Sequence, residues 1–415
     1  MRYFARNGAI VAMEMEARMT RSFAQFDGPR LLRQEELVAS ERLDRVCFGG
    51  PEIDNEAEIL ANYVPPKHGG MYVLAHEGKL VSQIDTIHDR IKMCDGHIQA
   101  GSIGGVCTHP DYRGKQLASH LLEYCTQQLV EEGATLMLIS GAQGIYTRLG
   151  NVPQGRYLSF SIKPEQGSQW RSTPADLVAR RATSADTLLC SVLYQAEPVH
   201  FVRQNSDFSV ALQDPMRNTY VYADQWIIER SGQAIAYLFL GSPWGVELGA
   251  GIRHVGEYAG SRLALADALN TIMTLSALKE LSWPVAWQDI ELIQLLQDSG
   301  YNGTATPLHD HTLRIINFPG FMDKLRPILR ARLDANLLRG LRFKQSGPLL
   351  GGLGTDRYTI TRGSDRLELD GASMTHLIMG KTELEAEPIN LPGALAEVIP
   401  ALFPLPSFLP GLNYH

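Results

Sequence analysis

The stretch Val106–Cys125, VCTHPDYRGKQLASHLLEYC, places Arg113, Gly114 and Lys115 just ahead of a segment with helical spacing. A helix N-terminus exposes unpaired backbone N–H groups and carries the positive end of the helix dipole. Two cations at that end repel the dipole unless an anion sits among them. A glycine lets the main chain close around such an anion, so Gly114 between Arg113 and Lys115 reads as a phosphate cradle at the head of the segment Gln116, Leu117, Ala118 and Ser119. A solvated basic turn is the alternative reading of the same residues. Nucleophilic chemistry has two candidates, Cys107 and Cys125, but neither is accompanied by the histidine and orienting acid it would need. The run HDH at His309–His311 reads as a polar turn, with metal binding as its rival.

Around the cradle the pattern is that of an antiparallel sheet. MYVLAH turns at Glu77-Gly78-Lys79, LVSQIDTIHDRIKM runs to an expected hairpin turn at Asp95-Gly96, and HIQAGSIGGVCT returns. The three glycines of that last strand mark a bulge or a close backbone approach. Leu117, Leu121, Leu122, Cys125 and Leu129 recur at helical spacing and Gly133 ends the helix; ATLMLIS then reads as a central strand.

A similar order returns downstream: the hairpin QWIIER/QAIAYLFLG around Ser231-Gly232, the helix SRLALADALNTIMTLSALKE, the strand WPVAWQ and the helix DIELIQLLQDSG. This predicts a degenerate structural repeat over 176–316. Its turn GEYAGSRLAL keeps Gly256 and Gly260 but has no Arg-Gly-Lys. From 317 a third composition begins: one helix in GFMDKLRPILRARL, strands in RYTITR and RLELD, a helix in ALAEVIPALF and the proline-rich tail PLPSFLPGLNYH. The fold class expected is α/β (α+β), with two mixed-sheet domains at 31–165 and 176–316 and a smaller α+β domain at 317–415.

With 415 residues, 44% of them apolar, the chain can bury large cores. A net charge of −7 argues against a general nucleic-acid binder and mildly favours a cationic substrate. Five cysteines without Cys-x-x-Cys spacing point to buried thiols in a reducing compartment rather than to disulfides or zinc. No run approaches the ~18 apolar residues that span a bilayer, and MRYFARNGAIVAMEMEARM lacks the apolar centre of a secretory signal. A cytoplasmic protein with no membrane partner is expected, residues 1–30 forming an extension or reflecting a start at Met13, Met15 or Met19.

The order strand, GGVCT, HPDY, Arg-Gly-Lys, helix resembles the GNAT-type N-acetyltransferases, whose coenzyme A loop reads [Gln/Arg]-x-x-Gly-x-[Gly/Ala]. Arg113 and Ala118 fit that pattern, while Gln116 stands where the family has glycine. The resemblance implies acetyl-CoA as co-substrate, no metal, and main-chain contacts from Val106, Cys107 and Thr108 to the pantetheine arm and thioester. It also implies that Tyr146, in GIYTRLGNVP, protonates the leaving thiolate. Free thiols titrate near ~8.5, so a phenol can serve as that acid without a large perturbation. Asn151 replaces the aromatic of the family's Tyr-x-x-x-Gly-[Phe/Tyr] stretch, and Gly141 and Ala142 line the coenzyme or acceptor channel in this reading.

The whole chain resembles the enhanced-intracellular-survival (Eis-like) acetyltransferases: a GNAT domain, a second GNAT-like domain without the cradle, and a sterol-carrier-like (SCP2-like) domain entered through LRIINFPGFMDKL. That likeness implies a homo-hexamer, a small-molecule or lysine amine acceptor of aminoglycoside, polyamine or lysine type, and a terminal carboxylate, here on His415, acting as base in the first domain. Four prolines in the last sixteen residues stiffen the tail, and Phe403, Leu405, Phe408, Leu409 and Leu412 favour docking over fraying. The rival function is a non-enzymatic lipid or apolar-ligand binder whose coenzyme loop is vestigial.

Overall fold

Positive φ at Glu77 and Gly78 (50° and 76°) closes the first hairpin, and Ser231 and Gly232 (50° and 78°) close a later one. Both are the two-residue turns whose twist suits paired strands. The second hairpin turns one residue early, at Cys94 (φ 50°), so that Gly96 already belongs to the returning strand. The computed structural model describes residues 23–49, 55–57, 69–164, 171–213, 224–242, 248–347, 356–381 and 389–413. The chain divides into two compact units, 1–88 with 103–132 and 89–102 with 133–415.

The first unit contains β1 (Asp27–Leu31), α1 (Leu37–Phe48), β2 (Gly69–His76), most of β3 (Lys79–Met93), the end of β4 (Gly96–Thr108) and α2 (Leu117–Glu131). Its strands lie side by side in the order β1-β2-β3-β4. The helical spacing seen in the sequence holds: Leu117, Leu121, Leu122, Cys125 and Leu129 are all buried, and α2 packs on β2. Leu43 of α1 meets Val73, Ala75, Leu80 and Cys107 in a separate small core.

The second unit continues with β5 (Leu136–Ser140), α3 (Gly144–Arg148), β6 (Val152–Ile162), β7 (Leu177–Arg181), α4 (Thr187–Ala196), β8 (Val199–Phe201), α5 (Asn205–Gln213), β9 (Asp224–Arg230), β10 (Gln233–Gly241), β11 (Ile252–Gly260), α6 (Arg262–Leu275), β12 (Glu280–Ala286), α7 (Ile290–Asp298) and β13 (Gly303–Ile315). Together with residues 96–102 its strands run β4-β5-β13-β6-β12-β11-β10-β9-β7. The strand β13 inserts antiparallel between β5 and β6, opposing Leu138 and Val152 with Leu313. His309–His311, expected as a turn, lie inside this strand, where the register slips between Leu308 and Thr312. Beside β10, β11 is paired through Gly260, but it meets β12 only from Ile252 to His254, so β11 and β12 part beyond that point.

Beyond β13 come α8 (Phe318–Lys324), α9 (Arg326–Arg332), α10 (Ala335–Leu338), a second sheet of β14 (Leu341–Ser346), β15 (Arg357–Arg362) and β16 (Asp365–Leu369), then α11 (Gly371–Met379) and α12 (Leu395–Leu402). The single helix expected over 320–333 is two helices. Pro327 sits in the first turn of α9, where its missing N–H costs nothing, and its ring cannot follow a continuing helix. Phe318, stacked on Tyr358 at 5.1 Å, shares one core with Ile378, Val398, Leu405 and Phe408. This mixed α/β (α+β) architecture is the class the sequence implies. No helix among the described residues is long and apolar enough to cross a membrane.

Candidate active site

Val106, Cys107 and Thr108 end β4 and Arg113–Ser119 follow within the same unit. The strand end is pinned from β3: Ser82 Oγ donates to the Cys107 carbonyl (2.8 Å) and lies 2.9 Å from Thr108 Oγ1, while the His109 N–H reaches the Val81 carbonyl at 2.9 Å. A short turn at Pro110–Tyr112 leads into the loop, where the Arg113 Nε–H donates back to the Thr108 carbonyl (3.3 Å). Lys115 Nζ lies 4.5 Å over the Tyr112 ring, and Tyr112 is braced by His76 at 3.1 Å. Arg113, Gly114, Lys115 and Gln116 are exposed, whereas Leu117 is buried and anchors the helix start.

Among the described residues, nothing within the protein accepts a hydrogen bond from the N–H groups of residues 114 to 119. Those donors and two exposed cations lie at the N-terminus of a helix of 15 residues, groups whose chemistry suits a phosphate or diphosphate. Gln116 takes φ 62°, ψ 16°, a left-handed conformation that favours glycine. The loop keeps the glycine geometry with a glutamine in it, at a strain of about 1 kcal/mol.

Burial raises the Cys107 thiol well above its ordinary range, with Cys47, Asp44 and Asp85 adding to the effect. Cys125 is raised in the same way, first by burial and then by Asp85. Thiolate nucleophiles need the reverse environment, so neither cysteine is built for covalent catalysis.

Tyr146 lies in α3 of the second unit and is buried, 6% exposed. Gly141, at the end of β5, approaches it so closely that a Cβ there would lie 3.2 Å from the ring, and Thr312 Oγ1 donates to the Gly141 carbonyl (3.1 Å). Ala142 follows, exposed. The residue that replaces the family aromatic has a structural task of its own. Asn151 is buried, and both its backbone N–H and its side-chain amide donate to the Tyr146 carbonyl at 3.1 Å, closing the end of α3.

At the turn before α6, the second unit supplies its own anions. The Glu197 carboxylate accepts the Gly260 N–H (2.9 Å) and both terminal nitrogens of Arg262 (2.7 Å each). Asp289 accepts Arg262 Nε (2.9 Å) and the Tyr258 hydroxyl (3.0 Å). A helix start that could face a phosphate is satisfied from within.

The tail is docked on the second unit as far as it is described; Tyr414 and His415 lie outside the described residues. Tyr157 and Gln154 donate to the Phe408 carbonyl (2.5 and 2.6 Å), and Gln288 exchanges two bonds with Ser407. Further on, Arg203 and Glu257 form an ion pair of 2.7 Å with side chains 1% and 3% exposed. Arg203 donates to the Pro410 carbonyl (3.3 Å) and to the Asn413 side chain, while Glu257 accepts the Leu412 N–H (3.0 Å) and the Tyr237 hydroxyl (2.7 Å). Gly411 fits against this pair because it has no side chain: a Cβ would lie 2.0 Å from Glu257 Oε2. Asn413 also donates to Asp89 (2.9 Å).

Residues 29–151 match the family model of the acetyltransferase (GNAT) domain. A comparison with curated proteins found no match. Among solved structures, Eis1 from Mycobacterium abscessus superposes with a TM-score of 0.60 at 12% identity, covering 91% of this chain and 97% of that one. A probable N-acyltransferase from Enterococcus faecalis gives 0.57 at 16% identity over 83% and 85% of the two chains. A GCN5-related N-acetyltransferase from Anabaena variabilis gives 0.55 at 14% over 85% and 90%. At these identities the likeness is one of fold. Residues 29–151 are thus similar to the acetyltransferase (GNAT) domain, within a chain that shares its fold with Eis1 over nearly its whole length.

Proposed function

We propose that this protein transfers the acetyl group of acetyl-CoA directly to a primary amine. The observation that carries the reading is the run of unpaired backbone donors at residues 114–119, flanked by Arg113 and Lys115 and following the strand Val106–Thr108. The loop binds the diphosphate, the main chain of Val106, Cys107 and Thr108 orients the pantetheine and thioester, and backbone N–H groups stabilise the oxyanion. Binding both reactants together contributes through proximity. Tyr146 is assigned as the acid for the leaving thiolate and the carboxylate of His415 as a base, with Gly141 and Ala142 lining the coenzyme or acceptor channel. Acceptors of aminoglycoside, polyamine and lysine type are the class to test. In this reading the second GNAT-like domain (176–316) carries no coenzyme site and the sterol-carrier-like domain (317–415) carries the tail, in a cytoplasmic hexamer; the parting of β11 from β12 and the self-satisfied turn at Gly260 support the first of these assignments.

Two measurements test this. Calorimetric titration with acetyl-CoA is expected to saturate at one site per chain, and a thiol-release assay across an amine panel is expected to show turnover that falls on removal of residues 414–415. Absence of saturable binding would refute the enzymatic reading. Undiminished turnover in the truncated chain would take the tail out of the mechanism.

A further inference from the structure

Asp85 sits in the middle of β3, between the buried runs Leu80–Ile84 and Thr86–Ile87. Its Oδ1 is buried and has no hydrogen-bond partner among the described residues. The other oxygen lies against β4 at Gly105, where a Cβ would stand 2.7 Å from Oδ2. Gly105 also has φ +57°, so strand geometry and the carboxylate both require a glycine there. The next residue is Val106, the first of the main-chain groups assigned to the thioester.

The groups facing Asp85 deepen its isolation. Asp44 of α1, Cys107 of β4 and Cys125 of α2 are all acids, and among the described residues no lysine or arginine acts on its carboxyl. Burial first and Asp44 second push Asp85 up to about 7, and burial raises Asp44 as well. Buried, unpaired carboxyl groups are costly features that a structure retains where a ligand completes them.

Resting on the acetyl-transfer reading, we propose that Asp85 is a catalytic residue that receives the acceptor's ammonium beside Val106 and takes its first proton. The carboxylate accepts H+ from RNH3+, leaving RNH2, whose lone pair forms the C–N bond to the thioester carbonyl. The C–S bond then breaks with its electron pair on sulfur, which Tyr146 protonates. The amine's second proton leaves the tetrahedral intermediate for solvent, from which Tyr146 regains its own. The proton held by Asp85 passes to solvent when the amide departs. A base titrating near neutrality accepts an ammonium proton with less driving-force deficit than an ordinary carboxylate.

The test uses the full chain and the isosteric Asp85→Asn variant, with acetyl-CoA and three probes: spermidine, kanamycin and a lysine peptide. Asp85→Asn should bind acetyl-CoA as the wild type does and lose at least 100-fold in kcat/KM, together with the wild type's acidic limb near pH 7; Asp85→Glu should recover part of the rate. Independently of turnover, the Asp85 carboxyl signal, identified by its loss in Asp85→Asn, should titrate near 7 and move downward when spermidine saturates the protein. Wild-type kcat/KM in Asp85→Asn, or a carboxyl signal that titrates near 4 and ignores amine, overturns the proposal. Failure of the wild type to bind acetyl-CoA would remove the transfer reading instead, and the carboxyl's response to amine would still decide Asp85.

Discussion

Replacing Arg203 with methionine removes one half of the buried ion pair that holds the tail and leaves Glu257 charged in the interior. Breaking such a pair by deleting one partner costs about 3–5 kcal/mol. The protein has a cheaper way out. Unseating the tail's end exposes Leu412, 8% exposed in the docked state, at about 1.5–3 kcal/mol, gives up the Leu412 N–H bond to Glu257, and admits water to the stranded carboxylate. The released backbone regains about 1–2 kcal/mol per residue, which offsets the lost Leu412 and Asn413 bonds, so Arg203→Met should release residues 411–413 locally before it unfolds the chain. Phe408 should stay in place, since Tyr157, Gln154 and Gln288 hold the segment around it. Hydrogen–deuterium exchange read by mass spectrometry is the assay: amides 411–413 should lose protection by about two orders of magnitude, with 405–408 unchanged. Adding Glu257→Gln should restore much of that protection by removing the orphaned charge. Wild-type protection in Arg203→Met, or a double variant worse than the single one, would refute the reasoning.

Three further expectations concern the first unit. Gln116→Gly should leave thermal stability unchanged or raise it, because relief of left-handed strain offsets the greater freedom of glycine in the unfolded chain, whereas Gln116→Val should lose about 1–2 kcal/mol. Arg113→Ala and Lys115→Ala should each weaken acetyl-CoA binding by roughly tenfold, a charge-assisted contact being worth about 1.5–3 kcal/mol before screening, and the wild-type affinity should fall with added salt; calorimetry at two ionic strengths checks both. The pH dependence of stability follows from Asp85. Its folded value near 7 lies above the unfolded ~3.9, so the folded state keeps a proton that the unfolded state releases, and this group's contribution declines as pH rises from about 4 through 7. Asp85→Asn should match the wild type below pH 4 and exceed it above pH 7 by up to about 4 kcal/mol, less whatever solvent screening removes, as read from urea titrations across that range.

The strand, turn and helix around residues 96–131 were readable in the sequence because their signals are local: hairpin turns and a helical leucine spacing. Gln116 was legible as a departure from the family glycine, but not as a residue in the left-handed region, since nothing in its type announces that conformation. Asp85 passed unnoticed because an acid inside QIDTIHDR looks like one position of a solvated strand face. The signal that could have found it lies on the partner strand, where Gly104-Gly105 leaves room opposite an acid flanked by apolar residues. The docked tail could be anticipated from its apolar content, but its clamp could not: Arg203 and Glu257 lie 210 and 155 residues from the positions they hold. The break between α8 and α9 was written in Pro327 and was overridden in the reading by the strength of the apolar period on either side.

The turn at Gly260 bears on how many nucleotides one polypeptide takes up. Glu197 acts there as a resident counter-ion, tied to the chain and therefore at a local concentration no dissolved phosphate can match. Erasing its charge would not open a vacancy, because Asp289 still claims the guanidinium from the other side. Building a nucleotide site there would take coordinated change at several positions, so the proposed stoichiometry of one acetyl-CoA per chain would be held by covalent architecture rather than by affinity.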